Sequence, residues 1–346
     1  MSTKHFTANV ISATKVVPDG AFETSAASGV WDLSEQYDLR RGGNWPETGN
    51  ENPLAGDIAL VAGGQLSVDP YATSVIQYFK ITSTGNSTDY GNLDAAQNGV
   101  EGISSSTRAV FASVSGNPYK YQYIEIQTGG DTATFGEATQ SATARMACCN
   151  STRGLVAGGY LGGAAKNVIE YITIANTGNG TDFGDLSAGR YNGAGLQSTT
   201  RGVFGGGSTG SFSNIIDYVT IGSTGNASDF GDLVATGQSL AGASNSTRGI
   251  FGGGFNGSRS NVIQYITIAN TGNTSDFGDL LAGNYELCGT SNSTRAVFMG
   301  GNTSGSGTNV IQYVTIGSTG NASDFGDLTN SIVHGGATSS AHGGIS

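Results

Sequence analysis

Thr224-Gly225-Asn226-Ala227-Ser228-Asp229-Phe230-Gly231-Asp232-Leu233 returns with small changes along most of the chain, and its spacing decides the fold. Its aromatic position is taken by Tyr90, Phe135, Phe183, Phe230, Phe277 and Phe325, at intervals of 45, 48, 47, 47 and 48 residues. A second marker, the tyrosine of strings such as Ile215-Ile216-Asp217-Tyr218-Val219-Thr220-Ile221, keeps those intervals at Tyr78, Tyr123, Tyr171, Tyr218, Tyr265 and Tyr313. Two markers in one register define six copies of one supersecondary unit rather than a shared bias of composition.

The unit is clearest between Asn192 and Leu233. Gly193-Ala194-Gly195-Leu196-Gln197 reads as a strand of small residues, and Ser198-Thr199-Thr200 as a turn. Arg201-Gly202-Val203-Phe204-Gly205-Gly206-Gly207 reads as a second strand ended by glycines, and residues 214–221, rich in β-branched side chains, as a third. The opening stretch then supplies a turn at Thr224-Gly225-Asn226 and a short fourth strand over residues 228–233. Four antiparallel strands per unit describe a propeller blade.

Closure follows from the ends of the repeat. Ile58-Ala59-Leu60-Val61-Ala62-Gly63-Gly64 already matches a second strand, whereas residues 334–343 match an inner one, with His342 in the place held by Arg201. One blade is therefore split between the two ends. The expected fold is an all-β, six-bladed propeller over residues 57–346, a closed ring without an open sheet edge. Residues 1–56 differ in kind: residues 5–11 suggest a short strand, Trp31, Leu33, Tyr37 and Leu39 have helical spacing, and residues 46–53 read as a linker. So short a segment would hardly form its own core, so Trp31, Tyr37 and Trp45 are candidate docking residues, on the propeller or on a partner chain.

Composition narrows the function classes. Twenty-six acidic against 15 basic residues give a net charge of −11, and no Lys/Arg run follows a phosphate backbone, so nucleic-acid binding is not expected. Only 12% of residues are charged, and the surface is expected to be Ser, Thr, Asn and Gly, which suits neutral polar partners such as sugars. The 57 glycines fall at fixed places in each unit and mark turns and close approaches. Cys148, Cys149 and Cys288 fit neither a disulfide framework nor metal-ligand spacing and read as small buried residues. The opening MSTKHFTANVISATKVV has no long apolar stretch and no 18-residue apolar run occurs elsewhere, so neither signal peptide nor membrane insertion is expected.

The layout of small inner strand, glycine-ended second strand, third strand with tyrosine and aromatic-bearing fourth strand resembles the kelch repeat in order and length. Kelch repeats carry a double glycine followed by a Tyr and a Trp. Here Gly206-Gly207 and Tyr218 are present, and Phe230 stands where Trp would be.

Three repeated features could be mistaken for sites. Arg108, Arg153, Arg201, Arg248 and Arg295, with His342 as sixth member, could form a cationic ring, but a residue present in every blade is better explained by folding, as a bond to backbone or to acidic neighbours. The pairs Asp182/Asp185, Asp229/Asp232, Asp276/Asp279 and Asp324/Asp327 could offer oxygens to calcium, yet their spacing is not that of an EF-hand or a glycine-rich nonapeptide and Asx-turn chemistry explains the same letters. Ser87-Thr88-Asp89-Tyr90-Gly91 also resembles the core of sialidase Asp-boxes, which are structural turns. His5, His334 and His342 lie near the termini, and no catalytic constellation, metal site or cofactor motif stands out, so no enzyme is expected.

The copies differ in one place. Loops joining second to third strands (65–73, 115–121, 160–166, 208–213, 255–260 and 302–308) vary in length and chemistry and emerge on one face, with the connections from fourth strand to next blade. They carry Tyr71, Tyr119, Tyr121, Tyr160, Phe212, Phe255 and Arg259, and the connections add Tyr191 and Tyr285. Aromatics among polar loop residues on a rigid scaffold make these nine the candidate ligand-binding residues.

The repeated string typified by residues 265–280, YITIANTGNTSDFGDL, is similar to repeats in virion structural proteins of tailed bacteriophages, especially marine and cyanobacterial ones. Residues 28–46 resemble short anchoring segments of phage tail proteins. The resemblance implies a component of the virion, an extracellular particle, present as a homo-oligomer or in many copies. Residues 1–56 would attach to other virion proteins, and the propeller would face outward as a tail-fibre or appendage adhesin for a host surface glycan or protein. A capsid or tail decoration protein, a cellular kelch-like interaction module and a polysaccharide-active enzyme stay open as alternatives.

Overall fold

The computed structural model describes residues 57–67, 71–116 and 118–341; Trp31, Tyr37, Trp45 and His342 lie outside this range. The described residues form six four-stranded antiparallel sheets, a small hairpin (Tyr160–Leu161 with Ala164–Ala165) and no helix. Blade 1 takes Ile58–Ala62, Val75–Lys80 and Thr88–Asn92 from the start of the domain and its inner strand, Gly336–Ser339, from the end, as the split-blade expectation required. Blade 2 comprises Glu101–Ser104, Arg108–Gly116, Tyr119–Glu125 and Ala133–Glu137; blade 3 Met146–Cys149, Arg153–Ala157, Val168–Thr173 and Thr181–Asp185. Blade 4 comprises Ala194–Gln197, Arg201–Gly205, Ile215–Thr220 and Ser228–Asp232; blade 5 Ala241–Ser244, Arg248–Gly252, Val262–Thr267 and Ser275–Asp279. Blade 6 comprises Cys288–Ser291, Arg295–Met299, Thr308–Thr315 and Ser323–Ile332. The inner strands touch one another in cyclic order, blade 6 meeting blade 1 and blade 1 meeting blade 2, so the described residues form a closed six-bladed propeller.

The small inner residues follow from crowding at the axis. A Cβ added to Gly195 would stand 1.9 Å from the Ala147 carbonyl oxygen of the neighbouring blade, and its equivalents are Gly102, Ala147, Gly242, Gly289 and Ala337. At the far end of the axis the hydroxyls of Ser104, Ser339 and Ser291 donate to the carbonyls of Ser339, Ser291 and Ser244, linking four blades in sequence.

The opening stretch is a bulged outer strand. In blade 4, Ile216 pairs with Gly231 and Asp217 with Asp229, which leaves Phe230 as the extra residue of a β-bulge. The same slip occurs in all six blades. It drives the aromatic ring inward, where Phe230 packs edge-on to Tyr218 at 5.9 Å and joins Leu196 and Val203 of its own blade to Phe251 and Ile266 of the next. The core thus lies between blades.

The turn of this stretch locks neighbouring blades together. Asn226 Oδ1 accepts the Asp185 N–H of the preceding blade at 3.0 Å, and Asn86, Asn179, Asn273 and Asn321 do the same to Asp327, Glu137, Asp232 and Asp279. In blade 2 Asp131 takes the asparagine's place and accepts from Asn92 N–H. Six clasps close the ring. The asparagine side chain, not the repeated aspartates, holds this turn: Asp182, Asp229, Asp276 and Asp324 face solvent.

A second set of clasps uses the arginines. Each stacks on the tyrosine of its own blade, with the guanidinium 4.3–4.7 Å from the ring centre in Arg108/Tyr123, Arg153/Tyr171, Arg201/Tyr218, Arg248/Tyr265 and Arg295/Tyr313. Its Nη1 then donates across to the next blade, to the carbonyls of Ile174, Ile221, Ile268, Ile316 and Ile81 respectively. The folding explanation for the series therefore holds for the five arginines. The sixth member is not His342: Ile58 pairs with Lys80 as Arg201 pairs with Thr220, so the register gives the arginine's place in blade 1 to an isoleucine. The carbonyl that such an arginine would have bound, Ile126, accepts from the hydroxyl of Tyr90 instead. Tyrosine replaces phenylalanine in the one blade that lacks the arginine.

Candidate functional site

With the turns of one face engaged in clasps, the other face carries the variable loops. In blades 1, 3, 4, 5 and 6 the second strand ends in a pair of glycines with positive φ, as at Gly206 (67°) and Gly207 (98°), a conformation that side-chain-bearing residues adopt only under strain. The pair turns the chain out of the sheet. The loop that follows lies beside the connection entering the blade, and the two meet in single bridges: Thr143 with Tyr160, Tyr191 with Ser208, Gln238 with Phe255, and Tyr285 with Asn302. Each of these four bridges, in blades 3 to 6, contains one aromatic and one uncharged polar residue.

The rings meet across blade boundaries. Tyr160 and Tyr191 are 5.0 Å apart between centres, and Phe255 and Tyr285 are 5.2 Å apart. Phe212, bridged to Ser208, stands edge-on to Phe255 at 6.0 Å. Arg259 lies over Tyr285 at 5.6 Å and donates to Asn302 Oδ1 at 3.2 Å. Six of the nine candidate residues thus form one arc over blades 3 to 6, with Tyr160 41% and Phe212 37% exposed at its rim. Aromatic faces half open to water beside neutral amide and hydroxyl groups are suited to bind a partner through stacking and hydrogen bonds. Tyr71 is 63% exposed on blade 1, away from this arc.

Two candidates require correction. Blade 2 has Ser113-Val114 where the other blades have the glycine pair, so its sheet does not break there and the strands run on to Gly116 and Tyr119. Tyr119 and Tyr121 are strand residues, and Tyr121 is fully buried. Its hydroxyl donates to Glu170 Oε1 at 2.6 Å, and Glu170 also accepts from Arg145 at 3.1 Å and from Thr139 N–H at 2.6 Å. Burial pushes the Tyr121 phenol well above its usual range, the adjacent Glu170 adding to the shift and Arg145 opposing it. Tyr121 is part of the joint between blades 2 and 3. The missing glycine pair was the sequence signal.

The face also holds groups that the loop comparison did not single out. The axis opens among Gly99, Ala144, Asn192, Ser239, Glu286 and His334, one from each blade and all with positive φ. Five head-to-tail backbone bonds run round this collar, from Asn192 N–H to Ala144 through to Gly99 N–H to His334. Glu286 and His334 approach at 3.0 Å. Below the collar Glu101 projects into an axial cavity of about 100 Å³, in the place held elsewhere by Met146, Ala194, Ala241, Cys288 and Gly336. Enclosure pushes its carboxyl up to about 8, with the Arg145 guanidinium opposing the shift. The three cysteines are buried and unpaired, and burial raises the Cys149 thiol to about 11 and the Cys288 thiol to about 12, leaving them protonated and inert.

The sequence matches no protein-family model and no curated protein.

Proposed function

We propose that this protein is a particle-borne recognition module, a phage tail-fibre or appendage adhesin whose propeller binds a host surface glycan or protein through the aromatic arc of blades 3 to 6. One observation carries the recognition part. The two faces of the ring are chemically unequal: one is engaged in six Asn or Asp clasps, and the other collects Tyr160, Tyr191, Phe212, Phe255 and Tyr285 into a row open to solvent. The clasps recur round the whole ring, whereas these aromatics occupy four of the six blades and stand half open to water. The particle part rests on the resemblance of the repeated string and of residues 28–46 to virion proteins.

The test is binding of the full chain to envelope preparations of candidate host cells, beside Tyr160→Ala, Phe255→Ala and Tyr285→Ala variants of unchanged melting temperature. Truncation of a central aromatic is expected to weaken binding by about 2 kcal/mol, some thirtyfold. Localisation of the chain in intact particles by electron cryomicroscopy decides between this role and a decoration role. An arc buried against other virion subunits would overturn the proposal.

A further inference from the structure

One residue position beneath the arc differs from blade to blade. It precedes the bridged residue of each connection and is occupied by Gln97, Ala142, Arg190, Gly237, Asn284 and Ile332. The alignment is set by a repeated bond: the carbonyls of Gln97, Arg190, Gly237, Asn284 and Ile332 accept from the second glycine of the preceding blade, Gly64, Gly159, Gly207, Gly254 and Gly301. The side chain at this position reaches under the loop of the next blade, towards the start of its third strand. In blade 4 Arg190 fills that space, donating to the Ile215 carbonyl at 2.5 Å and to Asp217 at 2.7 Å. Blade 6 has Gln312 where blade 4 has the acid, and its occupant is neutral: the Asn284 carboxamide donates to the Gly300 carbonyl at 2.8 Å.

Blade 5 also has a glutamine, Gln264, at the acid's place, but the occupant is Gly237. A Cβ placed there meets nothing nearer than the Phe255 carbonyl oxygen at 3.8 Å, and the backbone is not in the left-handed region. What remains is an open pit of about 130 Å³, lined by Val234, Leu240, Phe255 and Val262 together with Gly253 and the polar Ser260. The Gly253 carbonyl is the equivalent of the Gly300 carbonyl that Asn284 satisfies in blade 6. Gln264 Oε1 is already held by Val234 N–H and Thr274. The pit therefore offers a carbonyl acceptor at its base, apolar walls and an aromatic rim, with no charged partner.

We propose that the pit is a subsite for the acetamido group of an N-acetylated amino sugar. The amide N–H takes the Gly253 carbonyl, as the Asn284 amide takes Gly300 in blade 6. The methyl lies against Val234, Leu240 and Val262, and the sugar ring rests on Phe255 within the row from Phe212 to Tyr285. A peptide carboxamide presents an N–H to the same carbonyl, as Asn284 does in blade 6, but no methyl to Val234, Leu240 and Val262, and so leaves those walls uncovered. The net charge of −11 disfavours acidic sugars in the same place. This inference rests on the arc being the ligand face.

The test uses the full chain with neutral oligosaccharides in matched pairs, with and without the acetamido group, measured by titration calorimetry and by saturation-transfer NMR for methyl contact. The acetylated member is expected to bind roughly tenfold tighter or better, the worth of a filled small apolar pocket. Gly237→Asn, which copies blade 6 and fills the pit without backbone strain, should abolish that preference in a variant whose circular dichroism stays native-like. Equal binding of both members, or a preference that survives Gly237→Asn, would overturn the subsite while glycan binding lost on Phe255→Ala still upheld the arc. Binding of carboxamide peptides but no glycan would overturn the subsite and leave the arc a protein-binding face; loss of neither on arc substitution would remove the arc as well.

Discussion

Tyr90→Phe is the substitution that most directly tests how the ring is held. Five blade boundaries are bridged by an arginine to an isoleucine carbonyl, and the boundary between blades 1 and 2 is bridged by the Tyr90 hydroxyl to Ile126. Removing one oxygen leaves the Ile126 carbonyl without this donor, in a site where Tyr90 is 9% exposed and Ile126 fully buried. The expected cost is about 1–3 kcal/mol, the penalty of a buried acceptor left unpaired. For a domain of this size that lowers the melting temperature by about 2–5 °C, read by differential scanning calorimetry. Phe230→Tyr is the control, because Arg201 already occupies the corresponding Ile268 carbonyl and the added hydroxyl gains no such partner. The pH dependence gives a second reading. Burial raises the Tyr90 phenol to about 12, so the neutral form is favoured in the folded state. That contribution is fully present below the ordinary phenol pKa near 10 and is lost as pH rises through 12. The advantage of the native protein over Tyr90→Phe should therefore shrink between pH 10 and 12. Equal melting temperatures for the two proteins at neutral pH would refute the compensation argument.

Other substitutions separate the repeated residues by role. Arg201→Ala removes the stacking on Tyr218 and the bonds to Ile268 and Ala269, and chemical denaturation should show a loss of about 1–3 kcal/mol. Asn226→Ala breaks a clasp between blades 3 and 4 and should cost about 1 kcal/mol, whereas Asp229→Ala, at an exposed site, should stay within about 0.5 kcal/mol of the native protein. Glu101 has a carboxyl raised to about 8, so its neutral form is the one favoured by folding. That stability is fully present below the ordinary carboxylate pKa of 4.5 and is lost as pH rises to about 8, so Glu101→Gln should flatten the decline in melting temperature between pH 4.5 and 8 and raise its value above pH 8.

The loop comparison located the variable face by position but could not tell loop from strand in blade 2. Tyr121 falls within the 115–121 connection and so reads as a loop aromatic, although Ser113-Val114 replaces the glycine pair that opens a loop. Tyr90 carries no local sign of its separate role, since nothing near it in the chain shows that Ile58 stands in the arginine's place. The pit at Gly237 was invisible for a related reason: a glycine in a connection looks like a turn until its equivalents in other blades are seen to fill a common space.

The sequence by itself determined the unit, its copy number, the four strands per unit, the split closure and the face on which the copies differ, because each is a periodic property written within about 47 residues of contiguous chain. The opening stretch announced this period. Tertiary structure alone decided what the stretch does: Phe230 is the bulged residue driven between blades, and Asn226 is a clasp on Asp185, 41 residues earlier in the chain. The arc and the pit arose in the same way, from side chains of different blades brought to one rim when the ring closed, a proximity that no local pattern encodes.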